Sequence, residues 1–262
     1  MSAVILQDEI VHYEVLGRGR PLVFLHGWVG SWRYWIPSMQ AASMTFRAYA
    51  IDLWGFGDTA KNPNRYLIEN QVQLMVEFLD KMGIPKIALV GHGLGAVVAL
   101  MFARQNPEIV DRLMVIGVPL EMGGVNPKLR GAPPPELADW LLNKAPASDA
   151  VRLEAPKADT KAIAASLDCM ASMNWKDLFI NTLMPCLYVH GLNDPAINPP
   201  HYEEMVVFPE STHQILFEQS GHFPMLDENS KFNRLLTDFL SLQSGESPRE
   251  LQLKEEWKRR IR

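Results

Sequence analysis

Short apolar runs alternate along this chain with segments whose apolar residues recur every third or fourth position. Leu22-Val23-Phe24-Leu25, Ala48 to Asp52, Ile87 to Val90, Leu113 to Val118, Cys186 to His190 and Gln214 to Glu218 are brief apolar stretches with glycine, proline or polar residues at their borders, which predicts strands. Helical spacing appears in Ser31 to Met44 (Trp32, Trp35, Ile36), in Val72, Met75, Val76 and Leu79 ahead of Gly83, in Leu94, Val97, Val98 and Met101, and in Phe232, Leu235, Leu236 and Phe239. Residues 3 to 16 alternate and predict an opening hairpin. Gly17-Arg18-Gly19 follows as a turn rather than a dinucleotide loop, because Pro21 starts a strand and no helix opens there. Strands that alternate with helices predict an α/β fold, a mostly parallel sheet flanked by helices.

The alternation stops at Pro119. From Glu121 to about Asn181 no strand is predicted. Pro127, Pro133-Pro134-Pro135 and Pro146 punctuate short helical pieces near Glu136–Asn143 and Thr160–Met173. A connection this long between two strands is a lid or a disordered insert, and its apolar residues (Trp140, Leu141, Leu142, Ile163, Leu167, Met170, Met173, Trp175) favour a folded helical lid after the sixth strand. Residues 1–120 and 182–243 then form the core, 121–181 the lid, and 244–262 a C-terminal amphipathic helix. That last segment opens on Ser247-Pro248-Arg249-Glu250, a capping box, and carries Leu253, Trp257 and Ile261 on one stripe above a basic final turn. Folding back on its own domain is the simplest reading; self-association, partner docking or an anionic membrane surface are the others.

Composition narrows the function classes. A length of 262 residues suits one α/β domain, and a net charge of −5 offers no basic excess to neutralise phosphates, which argues against nucleic acid. No apolar run reaches the roughly 18 residues of a membrane span. Met1 to Glu14 carries acidic residues and no basic leader region, and two cysteines, Cys169 and Cys186, build no disulfide framework, so a reducing cytoplasm is expected. His190 and Asp194 stand four apart but across a strand end, not on one helix face; no metal and no cofactor is expected.

The informative motif is Gly91-His92-Gly93-Leu94-Gly95, a sharp turn between an apolar strand and an apolar helix. It stands with His26-Gly27-Trp28 after an early strand and with Asp194 and then His222 after late strands. Taken in that order, these pieces over residues 3–242 resemble the α/β-hydrolases of the capped esterase, C–C hydrolase and dehalogenase branch, whose elbow reads G-x-S-x-G. The chain departs from that pattern at Gly93, where the family carries serine, or aspartate in the dehalogenase and epoxide-hydrolase branches. The resemblance implies an oxyanion hole from the backbone N–H groups of Trp28 and Leu94, a histidine base at His222 and an orienting carboxylate at Asp194. It leaves the nucleophile position, Gly93, vacant. His26, Trp28, His92 and Trp140 are the candidate substrate contacts, His26 and His92 having packing roles as their simpler reading.

Three functions follow from that resemblance. The first is a hydrolase acting on an ester or related carbonyl bond of a small apolar substrate, its serine absent in this chain. The second is nucleophile-free chemistry, in which His222 activates water or deprotonates an acidic carbon as a lyase or isomerase would. The third is a pseudo-hydrolase that binds a ligand or acts as a scaffold. Intact Asp194 and His222 favour the first two.

Overall fold

The opening hairpin turns on Gln7 and Asp8, both at positive φ (50° and 64°), in the two-residue connection that matches the twist of a sheet. From it the chain builds eight strands: β1 (Ser2–Leu6), β2 (Glu9–Gly17), β3 (Arg20–Leu25), β4 (Phe46–Ile51), β5 (Ile87–His92), β6 (Val110–Ile116), β7 (Cys186–Gly191) and β8 (Thr212–Phe217). They form one sheet in the order β1-β2-β4-β3-β5-β6-β7-β8, with β2 antiparallel to both neighbours and β4 through β8 parallel. This is a computed structural model, and it describes residues 2–143, 145–205 and 208–253.

The order of strands reverses around β3. The chain goes from β3 to β4 on one side and then crosses to β5 on the other, so the carboxyl ends of β3 and β5 lie side by side at the switch point. Open α/β sheets place their ligands at such a point. Helix α1 (Ile36–Ala42) packs with the helix Asn229–Ser241, whereas α2 (Ile68–Met82) and α3 (Leu94–Gln105) form a second layer.

The sequence predicts a one-faced helix behind Gly93, but α3 is buried on nearly all sides: Leu94 through Leu100, Phe102 and Ala103 are all interior. A helix covered by the sheet on one flank and by other helices on the rest needs no polar stripe. Close passage makes this possible. A Cβ on Gly91 would lie 2.3 Å from the Gly95 carbonyl oxygen, and one on Gly95 would lie 2.5 Å from that of Leu25.

Between β6 and β7 the chain forms α4 (Lys128–Gly131), α5 (Pro134–Leu141), α6 (Asp149–Glu154), α7 (Thr160–Ala171) and α8 (Trp175–Ile180). Helix α8 packs on α3, with Arg104 pairing Asp177 at 2.5 Å, and its Phe179 meets Tyr188 of β7 at 5.1 Å between ring centroids. The rest of the insert is fastened over the loops behind β3 and β4. Tyr66 donates to Asp159 (2.7 Å), Asp159 N–H donates to the Gly55 carbonyl (2.8 Å), and Arg33 meets the buried Glu154 at 3.0 Å.

At the C-terminus, Pro248–Leu253 is a 3-10 segment rather than the start of an α-helix. It lies against β8, with Leu251 fully buried and the Ser247 hydroxyl donating to the Glu210 carbonyl at 3.0 Å. Trp257, Ile261 and the basic end of the expected helix lie outside the described residues. Among the described residues no helix is long and apolar enough to cross a membrane.

The tight β5–α3 passage gives a stability prediction. Gly91→Ala should destabilise the fold by about 3 kcal/mol or more, the upper range for overpacking against backbone. Gly131→Ala, with no atom within 4 Å of the added methyl, should stay within about 0.5 kcal/mol. Urea denaturation of the two variants checks the contrast; equal losses would contradict it.

Candidate active site

Gly93 sits between β5 and α3 at φ 52°, ψ −117°, a region strained for any residue with a Cβ. Its N–H donates to the Ile116 carbonyl at 2.9 Å, and its carbonyl accepts from Ala96 and Val97 N–H, so both sides of the turn are anchored. The Leu94 N–H that follows, at the first turn of α3, has no acceptor among the described residues, and neither has that of Trp28. Both residues are completely buried.

The loops after β7 and β8 bring Asp194 and His222 together. Asp194 Oδ1 accepts from the N–H groups of Ala196 (2.8 Å) and Ile197 (3.1 Å), which fixes the carboxylate plane. Asp194 Oδ2 accepts from His222 Nδ1 at 2.8 Å. That bond assigns the ring proton to Nδ1 and leaves Nε2 as a bare acceptor, buried and with no partner. Gly117, at the end of β6, lines the same pair: a Cβ there would lie 3.5 Å from His222 Cε1 and 3.7 Å from Asp194 Oδ2. The sequence analysis does not single out Gly117, because it places that residue inside the strand Leu113 to Val118, whereas β6 ends at Ile116.

Residue 93 does not border open space. A Cβ at Gly93 would sit 3.0 Å from Cε3 and Cζ3 of Trp28, so the indole lies across the position that the sequence reading left vacant. The same indole stacks on His222, with centroids 6.2 Å apart and planes at 25°, and its Nε1–H donates to Ser166 Oγ on α7 at 3.0 Å. Interiors pack to high density, so a missing side chain at one position is compensated by a large one beside it. Ser166, in turn, donates to the Ile163 carbonyl at 2.7 Å.

Two proposed substrate contacts are placed otherwise. His26 is wholly buried; its Nε2 accepts from Leu53 N–H at 3.0 Å and its Nδ1 donates to the Gly27 carbonyl at 2.8 Å. His92 is equally buried, with Nδ1 bonded to Tyr34 Oη and Nε2 to the His222 carbonyl. All four ring nitrogens are committed to the protein, so neither histidine offers a polar atom to a ligand, and burial lowers both pKa values. Trp140 is half-buried on α5 under the Lys128 ammonium, 5.1 Å from its ring centre, whereas the rings that meet His222 are Trp28, His92 and Phe223. His190 directs Nε2 to the Val118 carbonyl at 3.0 Å, and burial pulls its pKa to about 4 despite the nearby Asp194 charge.

A second histidine cluster lies apart from this one. His12 Nδ1, Asp52 and Asp58 offer atoms close enough to hold a cation. The Asp52 oxygens are already occupied, however, by Trp32 N–H (2.8 Å), Asp58 N–H (3.1 Å) and His12 Nδ1 (2.9 Å), and Asp58 pairs with Lys157 at 2.9 Å. The cluster ties β2 to the loop after β4.

An acid–histidine pair on the loops after β7 and β8, facing a strand–turn–helix after β5 with two free N–H donors, defines a hydrolase-type α/β protein. Residues 22–235 match the model of the alpha/beta hydrolase family, and the chain belongs to that family. It is 35% identical over 106 residues to a soluble epoxide hydrolase of Corynebacterium sp., a match that spans 40% of this chain and 37% of that protein. Over 87% of the chain it is 24% identical to a pimeloyl-[acyl-carrier protein] methyl ester esterase of Vibrio parahaemolyticus, covering 97% of the esterase. Among solved structures, a serine-to-glycine variant of the N-acyl homoserine lactonase AidH, complexed with N-hexanoyl homoserine lactone, superposes with a TM-score of 0.77 at 20% identity, covering 91% of this chain and 96% of that one. The likeness in that case is one of fold.

His12 gives a pH prediction. Burial, the largest single influence, pulls its pKa down, but the hydrogen bond and charge of Asp52, with Asp58 and Glu14, outweigh it and raise the pKa above 6.5. The ion pair should therefore stabilise the fold fully below about pH 6.5, with the contribution fading as pH rises through the raised value. Urea midpoints of wild type and His12→Gln should differ most near pH 5.5 and converge toward pH 8.5. A gap that does not change with pH would rule this out.

Proposed function

We propose that this chain binds a small, apolar ester or lactone in a hydrolase-type site that has kept its base and oxyanion donors and has no side-chain nucleophile. The observation that carries this reading is the state of His222: Nδ1–H held by Asp194 at 2.8 Å, and Nε2 buried and unbonded. The esterase likeness supports a carbonyl substrate, as does the pair of free N–H groups at Trp28 and Leu94.

Chemistry here runs through water. His222 Nε2 takes a proton from a water molecule, whose oxygen attacks the carbonyl carbon while the Trp28 and Leu94 N–H groups take up the developing oxyanion. As the tetrahedral adduct collapses, the leaving alkoxide receives the proton from His222, and Asp194 stabilises the imidazolium in between. No acyl-enzyme forms at Gly93. Losing the serine of such a triad costs about 10⁶ in turnover and leaves roughly 10³ over the reaction in water, so the activity of this form is slow. Substrate also has to move the Trp28 indole off residue 93, which makes the Trp28–Ser166 hydrogen bond part of the opening of the lid expected over residues 121–181.

A second reading, a ligand-binding protein with no turnover, is favoured by that same indole. A tryptophan packed over Gly93 and on His222 shields the base from solvent and suits non-covalent capture under the lid.

Restoring the hydroxyl separates the readings. Gly93→Ser, with its Cβ requiring Trp28 to yield by a few tenths of an ångström, should hydrolyse p-nitrophenyl butyrate about 10³-fold faster than the parent and react with a fluorophosphonate probe. His222→Ala should abolish both the gain and the residual rate of the parent. A folded Gly93→Ser protein that takes no label and gains no rate would overturn the hydrolase reading.

A further inference from the structure

The polar atoms behind the site form one directed chain. Gly27 N–H donates to Tyr34 Oη at 2.7 Å, Tyr34 Oη and His92 Nδ1 lie 2.9 Å apart, and His92 Nε2 and the His222 carbonyl oxygen lie 2.8 Å apart. Every direction follows from elementary donor rules. A carbonyl only accepts, so His92 Nε2 carries a proton. Burial, with the neighbouring His222, holds the His92 pKa well below its usual value, so the ring is neutral and Nδ1 is an acceptor. Tyr34 must then donate its own proton to Nδ1, and burial keeps that phenol protonated against the opposing pull of Gly27 N–H. The Tyr34 oxygen is left to accept from Gly27.

We propose that Tyr34 and His92 are positioning residues that set the separation between the oxyanion loop at Gly27–Trp28 and the base at His222. The inference rests on the reading of the site given above. Its consequence for the loop is selective: Gly27 N–H is consumed by Tyr34, and the next donor along the chain, Trp28 N–H, is the one left free. Its consequence for His222 is a second anchor. Asp194 fixes the ring and His92 fixes the backbone carbonyl of the same residue, so Nε2 is held from both ends. The three loops after β3, β5 and β8 are thereby joined by side chains from residues 34 and 92, neither of which has a polar atom left for a substrate. The fit is close, because a Cβ on Gly27 would lie 2.9 Å from His92 Nδ1.

Two measurements test the chain. In the Gly93→Ser background, Tyr34→Phe should lower kcat for p-nitrophenyl butyrate about 10- to 100-fold with KM within about twofold, the signature of displaced catalytic groups and not of lost binding. His92→Gln, which keeps a donor for the His222 carbonyl, should retain more of kcat than His92→Leu. Trp35→Phe removes packing on the Tyr34 ring (centroids 5.0 Å apart) and no hydrogen bond of the chain, so it should lower Tm and leave kcat alone. The second measurement needs no turnover: in the unaltered Gly93 protein, Tyr34→Phe should shift the NMR resonance of the His222 Nδ1 proton. It decides the inference even where Gly93→Ser confers no esterase activity. A Tyr34→Phe protein with the parent resonance and, where activity exists, the parent kcat, destabilised only as Trp35→Phe is, would overturn the positioning role.

Discussion

The structure depends on how closely β5 and α3 approach each other and the end of β3. Gly91 and Gly95 have no side chains, so the helix starts directly behind the strand, and Gly95 N–H donates to the His26 carbonyl at 3.0 Å. That contact locks the turn at Gly93 to the loop that presents Trp28. It also aims the N-terminus of a largely buried helix, with the unpaired N–H of Leu94 and the positive dipole end, at the carboxyl edge of the sheet. Asp194 and His222 reach that edge from β7 and β8 because the parallel order of the sheet delivers all those loops to one side.

Around this junction polar groups are paired with little left over. His26 and His92 use both ring nitrogens, Asp194 accepts three hydrogen bonds, and the His222 ring retains one free nitrogen. In an interior where an unpaired polar atom is costly, the unpaired ones mark what the site is built to do. Here, among the described residues, they include the Nε2 of His222, the Nδ1 of His190 and the backbone N–H groups of Trp28 and Leu94. The Trp28 indole stacks on the His222 ring, and its hydrogen bond to Ser166 joins the site to the helical insert.

Much of this was legible in the residues. All eight strands and the principal helices occur where periodicity and turn residues put them, and motif order singles out Asp194 and His222, which the structure joins by a hydrogen bond. Local patterns, though, report one element at a time. Helix α3 read as one-faced because Met101 and Leu94 fit a stripe; only packing against the sheet and other helices buries the rest of it. Nor does the stretch after Pro119 reveal that α8 lies against α3 and β7, through Asp177 and Phe179.

The amino-acid pattern alone determined the α/β alternation, the glycine frame of the elbow and the absence of a hydroxyl at residue 93, since each is a property of neighbours in the chain. Tertiary structure decided which histidine is free and which are spent, and it filled the space beside Gly93 with the indole of Trp28. Residues 28, 93, 166 and 222 are far apart in sequence. Their contacts arise from strand order and insert docking, and those depend on summed burial over the whole sheet, which no single window of residues encodes.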